Sequence, residues 1–170
     1  LLLSFLTLSF GSLLAQNTSY WQQHADYKMD VTMDVKNYEY KGKQELVYTN
    51  NSPDTLRQVF YHLFPNAFQP GSEMDARLHS IKDPDGRMVT KVKGADGKET
   101  KQSRIETLKP NEIGFLKITN FKQDGVTAQT RTSGTILEVT LAKPILPNSK
   151  TTFSLDFDGQ VPVPIRRSGR

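Results

Sequence analysis

The chain has no cysteine in its 170 residues. Disulfide scaffolds, thiolate zinc sites and cysteine nucleophiles are therefore excluded. No internal repeat, heptad run, phosphate-binding glycine loop or dinucleotide fingerprint is present. No Gly-x-Ser-x-Gly elbow supports serine hydrolysis, and no His-x-x-x-His pair preorganises a zinc site. Charge of one sign is scarce too. The net charge is +4, but Arg166, Arg167 and Arg170 supply three of those charges, and without them the balance falls to +1. Basic residues do not interleave with aromatics, so nucleic acid is not an expected partner. The length suits one domain.

What is present begins with an address. Residues 1–15 (LLLSFLTLSFGSLLA) hold ten apolar residues and no charge. The run is too short to span a bilayer comfortably and matches the apolar core of a secretory signal ending near Ala15. A polar QNTSYWQQ follows abruptly, and no cysteine stands there to carry a lipid anchor. The expectation is an exported protein, periplasmic, cell-surface or extracellular, with a truncated start. Its mature chain begins near Gln16 and has no transmembrane segment once the signal is removed.

The remainder carries strand patterning. Over 27–35, Tyr27, Met29, Val31, Met33 and Val35 alternate with Lys28, Asp30, Thr32 and Asp34, which predicts a strand with one buried and one wet face. A second strand runs from near Lys41-Gly42 to about Thr49. Asn50-Asn51-Ser52-Pro53-Asp54 is a dense turn cluster. Residues 56–64 (LRQVFYHLF) are nearly continuously apolar, predicting a central strand covered on both faces. A loop-rich middle follows, with one or two helical turns at 73–80 and a hairpin tip at Asp96-Gly97. Strands at 113–121, 135–141 and 152–158 close the chain, the last two joined by a turn at Pro144–Asn148. Six to eight strands and no long helix predict an all-β fold: an antiparallel β-sandwich or a saddle-shaped open sheet.

Few residues suggest chemistry. A zinc site would require His24, His62 and His79 to converge; a surface His24, a satisfied core or second-face His62 and a loop His79 are the preferred assignment. Asp30 and Asp34 share a strand face and could act as an acid and base pair, but a solvated strand face is the commoner cause. Glu73–Asp85 lacks the ladder and closing Glu of a calcium loop. Phe60, Tyr61, Phe64 and Phe68 could form a sugar-stacking platform, but such spacing is more often core, and only Phe68, outside the strand, is a plausible exposed ring. Arg166, Arg167 and Arg170 could be an anion site, or a ragged basic tail. No catalytic or metal residue is assigned, and no substrate-binding residue is identified.

Two long strings resemble one family. YKMDVTMDVKNYEYKGKQELVYTNNSPDTLRQVFYHLFPNAF resembles the opening, and LEVTLAKPILPNSKTTFSLDFDGQVP the closing strands, of the amino-terminal domain of aminopeptidase-N-like zinc metallopeptidases, the gluzincin aminopeptidases. The shared order is Tyr40, Gly42 and Leu46; Asn50 and Asn51; Leu56 to Leu63; Pro144 to Pro147; then Phe157 and Gly159. The resemblance covers about residues 20–165. It implies a parent exopeptidase acting on peptide substrates with one zinc, held by a His-Glu-x-x-His helix and a downstream Glu that lie outside this chain. It also implies a domain that supports the catalytic domain and walls its cleft. Gln160 does not fit the family's substrate-lining glutamine.

The expected layout is thus a signal at 1–15, an amino-terminal β-domain at 16–165, and at 166–170 the start of a linker toward a missing catalytic domain. That domain is the expected partner. No cofactor is expected in the fragment, and zinc is expected in the parent. Loops 65–80 and 122–134 are candidates for the contact. The competing expectations are a non-enzymatic secreted β-sandwich that binds glycans or a protein, and a parent that has lost its zinc helix.

Overall fold

The computed structural model describes residues 20–82, 84–167 and 169–170; the expected signal at 1–15 lies outside them. The strands are β1 (His24–Asp34), β2 (Glu39–Asn50), β3 (Leu56–His62), β4 (Val89–Lys93), β5 (Glu99–Ser103), β6 (Phe115–Gln123), β7 (Val126–Thr127), β8 (Gln129–Ser133), β9 (Ile136–Ile145) and β10 (Ser149–Gln160). One helix, α1 (Glu73–Ser80), interrupts them, preceded by a 3₁₀ turn at Phe64–Ala67. The strands form a five-stranded sheet in the order β1-β2-β10-β6-β7, a three-stranded sheet β3-β9-β8 and a hairpin β4-β5. Among the described residues every pairing is antiparallel, and no barrel closes. The all-β expectation holds.

The core lies between the two larger sheets because their alternation aims apolar side chains at each other. In β10, Thr151, Phe153, Leu155 and Phe157 are buried, while Lys150 and Asp158 are exposed. Leu46 of β2 and Phe121 of β6 join them, and Leu137, Val139, Leu141 and Ile145 come from β9. Burying each such side chain fully contributes about 1.5–3 kcal/mol. Tyr61, Phe121 and Phe153 meet at the centre, with Tyr61 edge-on to Phe121 at 5.5 Å and to Phe153 at 6.4 Å. Edge-on rings align their quadrupoles favourably. A second, smaller core gathers Leu78, Met88, Ile105 and Ile165 beneath α1. Ser72 caps that helix by accepting a bond from the Asp75 N–H.

Register explains two glycines. Gly42 lies opposite Phe157 and Gly159 opposite Tyr40 on the neighbouring strands β2 and β10. A Cβ on Gly42 would collide with the Asp30 carbonyl and the Phe157 ring, and one on Gly159 would collide with the Tyr40 ring. Each aromatic ring thus covers the glycine of the other strand, filling the space that a missing side chain leaves. The Tyr-x-Gly and Phe-x-Gly strings are two halves of one contact.

Buried polar side chains close the ends. The Asn50 amide donates to the carbonyls of Asp54, Leu146 and Ile145 at 2.7, 3.1 and 3.3 Å. Its oxygen accepts from Gln23 Nε2, the Ser52 N–H and Ser52 Oγ. It locks the Asn-rich turn onto the β9–β10 turn. Gln123 of β6 exchanges two bonds with the Lys143 backbone of β9, at 2.8 and 3.0 Å. A side chain there stands in for a ladder rung between the sheets.

Four expectations need correction. β3 is the edge of its sheet, not a central strand, and Phe60 and His62 on it are exposed. Its continuous apolar run reflects an uncovered ring, not burial on both faces. β9 continues through Pro144 and Ile145, so the turn is shorter than Pro144–Asn148. Segment 122–134 is not a loop but contains β7 and β8, whose polar sequences carry no alternation. β1 does alternate as expected, yet its apolar face is not buried: Tyr27, Met29, Val31 and Met33 are 59, 52, 57 and 51% exposed.

Candidate functional site

That uncovered face leads into an apolar cleft of about 490 Å³. Tyr27 and Met29 of β1, Tyr40 of β2, and Phe60, His62 and Phe64 around the end of β3 form its walls; Leu46, Leu155 and Phe157 lie within it. Period-two geometry puts the β1 and β2 residues on one face. Phe64 opens the 3₁₀ turn, with Pro65 second in it, and the His62 ring stacks on Phe64 at 3.7 Å. Two polar atoms in the walls, Gln44 Nε2 and Tyr61 Oη, are buried with no hydrogen-bond partner among the described residues. Burial pushes the Tyr61 phenol well above its usual range, with Tyr27 adding to the effect. Burial also raises Tyr40. The walls are mostly apolar. They suit apolar side chains and offer no nucleophile beside a base.

The residues singled out in the sequence for possible chemistry do not gather here, His62, Phe60, Tyr61 and Phe64 excepted. His24 is the first residue of β1 and pairs with Asp26 at 3.0 Å. His79 is in α1, not a loop, at 3.6 Å from Asp75 and 3.8 Å from Glu106. His62 is exposed at a strand end and is not a core residue. Among the described residues, no group of three or more His, Asp or Glu side chains could hold a metal ion. Asp30 lies opposite Lys43 on the wet face of the sheet. Asp34 instead shapes the β1–β2 turn, accepting from the Lys36 and Asn37 N–H groups and from Asn37 Nδ2. Those bonds, the Lys36 one foremost, hold its carboxyl below the usual range. The two carboxylates serve separate structural ends.

Phe68 is not an exposed ring. It is half-buried against the second core, and Phe60 and Phe64 are the rings that face solvent. Segment 65–80 holds most of the 3₁₀ turn and all of α1, and Met74 and Leu78 of that helix pack in the same core. Arg166 pairs with Asp85 at 3.2 Å. The Arg170 guanidinium lies over the Tyr38 ring at 4.1 Å and donates to the Asn111 and Val161 carbonyls. Arg166 and Arg170 are thus each engaged by partners on the domain and do not converge on an anion site. Asp85, bonded chiefly to Arg87, is held well below the usual carboxylate range. Gln160 is buried and donates to the Pro110 and Ile113 carbonyls at 2.9 and 2.7 Å. It ties a loop down, away from the cleft.

The sequence missed the cleft itself. Alternation in β1 identified the face, but whether anything covers it depends on sheets paired from distant parts of the chain. Among the described residues, no helix is long and apolar enough to cross a membrane.

No protein-family model and no curated protein matches this chain. Among solved structures it is similar to an M1 zinc metallopeptidase from Deinococcus radiodurans, at 11% identity and a TM-score of 0.44, over 81% of this chain and 20% of that one. A two-domain M1 zinc metallopeptidase mutant bound to L-tryptophan gives the same identity and TM-score, over 81% and 21%. The chain thus spans about a fifth of the length of the structures it resembles.

Proposed function

We propose that this chain is the amino-terminal, non-catalytic β-domain of an exported zinc metallo-aminopeptidase, and that its open apolar face seats the catalytic domain and walls the substrate cleft. The parent removes amino-terminal residues from peptides, with zinc polarising the scissile carbonyl and activating water in the catalytic domain. The observation that carries the reading is the unit formed by Tyr40, Gly42, Phe157 and Gly159. The strings that carry the family resemblance, far apart in sequence, meet in register as mutual ring-over-glycine contacts. The uncovered β1 stripe supports it further, since an apolar patch of that extent marks an interaction surface.

The test is the coding sequence that follows residue 170. A His-Glu-x-x-His helix roughly one to two hundred residues downstream supports the reading; an unrelated domain or an immediate stop codon contradicts it.

A second reading is favoured by Phe60 and Phe64, both more than three-fifths exposed. Those rings could stack on a sugar face in a non-enzymatic secreted β-sandwich. Glycan-array binding by the chain, lost in Phe60→Ala or Phe64→Ala, would favour it over the peptidase reading.

A further inference from the structure

Soluble sheets protect their edges with short strands, prolines, bulges or inward charges. The far edge of the five-stranded sheet obeys, since β7 is two residues long. β1 does not. It runs 11 residues along the other edge without a proline, every residue is exposed, and its register with β2 is unbroken. Half of its backbone N–H and C=O groups therefore point outward unpaired by the sheet.

The wet face of this sheet has an ordered charge pattern. One cross-strand row reads Asp156–Lys43–Asp30, and the next reads Ser154–Glu45–Lys28. Neighbouring charges in each row are opposite in sign, and the sign at the β1 edge inverts from one row to the next. Met29 is the middle residue of β1. A two-fold axis through Met29 would pair the whole strand with a second copy of itself, antiparallel. Lys28 then faces Asp30 of the second copy, and Asp30 faces its Lys28. The row Asp156–Lys43–Asp30 continues through Lys28 and Glu45 of the second copy with its alternation intact. On the apolar face, Val31 meets Tyr27, Met33 meets Ala25, and Met29 meets itself.

Neighbouring registers are worse. An axis at Lys28 opposes Lys28 to itself and Asp26 to Asp30. An axis at Asp30 opposes Asp30 to itself and Asp26 to Asp34. Like charges directly opposite are destabilising, and axes further from the centre leave part of the strand unpaired. We propose that β1 is a homodimerisation edge: two copies of this chain join into one continuous ten-stranded sheet through β1, in the register centred on Met29. The proposal concerns the strand's edge and does not depend on what covers its apolar face.

Because the chain has no cysteine, an introduced one reports on a single place. At the axis, paired Cβ atoms lie about 4.5–5.5 Å apart, so the Met29→Cys chain should cross-link readily under mild oxidation. Met33 lies four residues off the axis, and its two copies stand about 26 Å apart at about 3.3 Å per residue. Met33→Cys should therefore not cross-link. In sedimentation the chain should dimerise with increasing concentration. Lys28→Asp and Asp30→Lys should each raise the dissociation constant by about tenfold or more, and the K28D/D30K double variant should recover dimerisation. That variant also reverses the pairs with Glu45 and Lys43, so circular dichroism checks that it is folded. A monomer at every accessible concentration overturns the proposal. So do equal cross-linking rates at positions 29 and 33, or an association indifferent to the two charge changes. The last result would indicate stacking through the apolar stripe, which lies on the opposite face.

Discussion

At the scale of single residues, the fold depends on a few side chains whose neighbours cannot move aside. Gly42 is the stiffest case, because the Asp30 backbone carbonyl occupies the space of its absent Cβ. Gly159 faces the far end of the Tyr40 ring, which can swing away. Gly42→Ala should therefore destabilise by about 1–3 kcal/mol or more and exceed Gly159→Ala, as measured by urea unfolding. Equal costs would mean that the ring over Gly159 is as fixed as the strand. Asn50→Ala should cost about 3 kcal/mol, because it strands buried carbonyls and the Ser52 donors at once; a loss below 1 kcal/mol would show that water replaces it. Tyr40, Gly42, Asn50, Phe157 and Gly159 were all legible in the sequence as points of a resemblance. Their mutual contacts were not, since register between β2 and β10 is a long-range fact.

At the scale of elements, hydrophobic alternation located β1, β2 and β10 well, and turn chemistry located the Asn50–Asp54 and Asp96-Gly97 bends, where Gly97 takes a left-handed φ of 76°. β8 was invisible because QTRTS has no apolar face to read. β3 was misplaced because a continuous apolar run looks the same on an edge as at a centre. Titration tests two of these elements. The Asp34 carboxyl sits below its ordinary pKa of 3.8 in the folded chain, so its contribution is present above that pH and is lost as pH falls through the lower folded value. The gap in melting temperature between the chain and Asp34→Ala should be seen at neutral pH and close below about pH 4; a gap independent of pH would refute the turn-shaping role. Tyrosines 40, 48 and 61 are raised by burial above the usual 10.0. Their contribution is complete below about pH 10 and is lost as pH rises toward the folded values. Tyr61→Phe should flatten that alkaline loss and leave neutral-pH stability unchanged or slightly higher, because the Tyr61 hydroxyl has no partner among the described residues.

At the scale of the whole molecule, a two-sheet sandwich closes one core between its sheets and leaves the outer stripe of β1 to something else. Three of the polar side chains singled out above have separate structural partners: Asp34 in a turn, Asp85 with Arg87 and Arg166, Gln160 under a loop. On the proposed reading the chain is a support for a catalytic domain encoded downstream. The measurement that tests this most directly is chelator-sensitive hydrolysis of aminoacyl reporter substrates, assayed for the chain alone and for the chain mixed with the polypeptide encoded downstream. The account predicts no hydrolysis by the chain alone, activity on mixing, and loss of that activity when Tyr27→Asp and Met29→Asp place charges on the apolar stripe. Chelator-sensitive hydrolysis by the chain alone would contradict it.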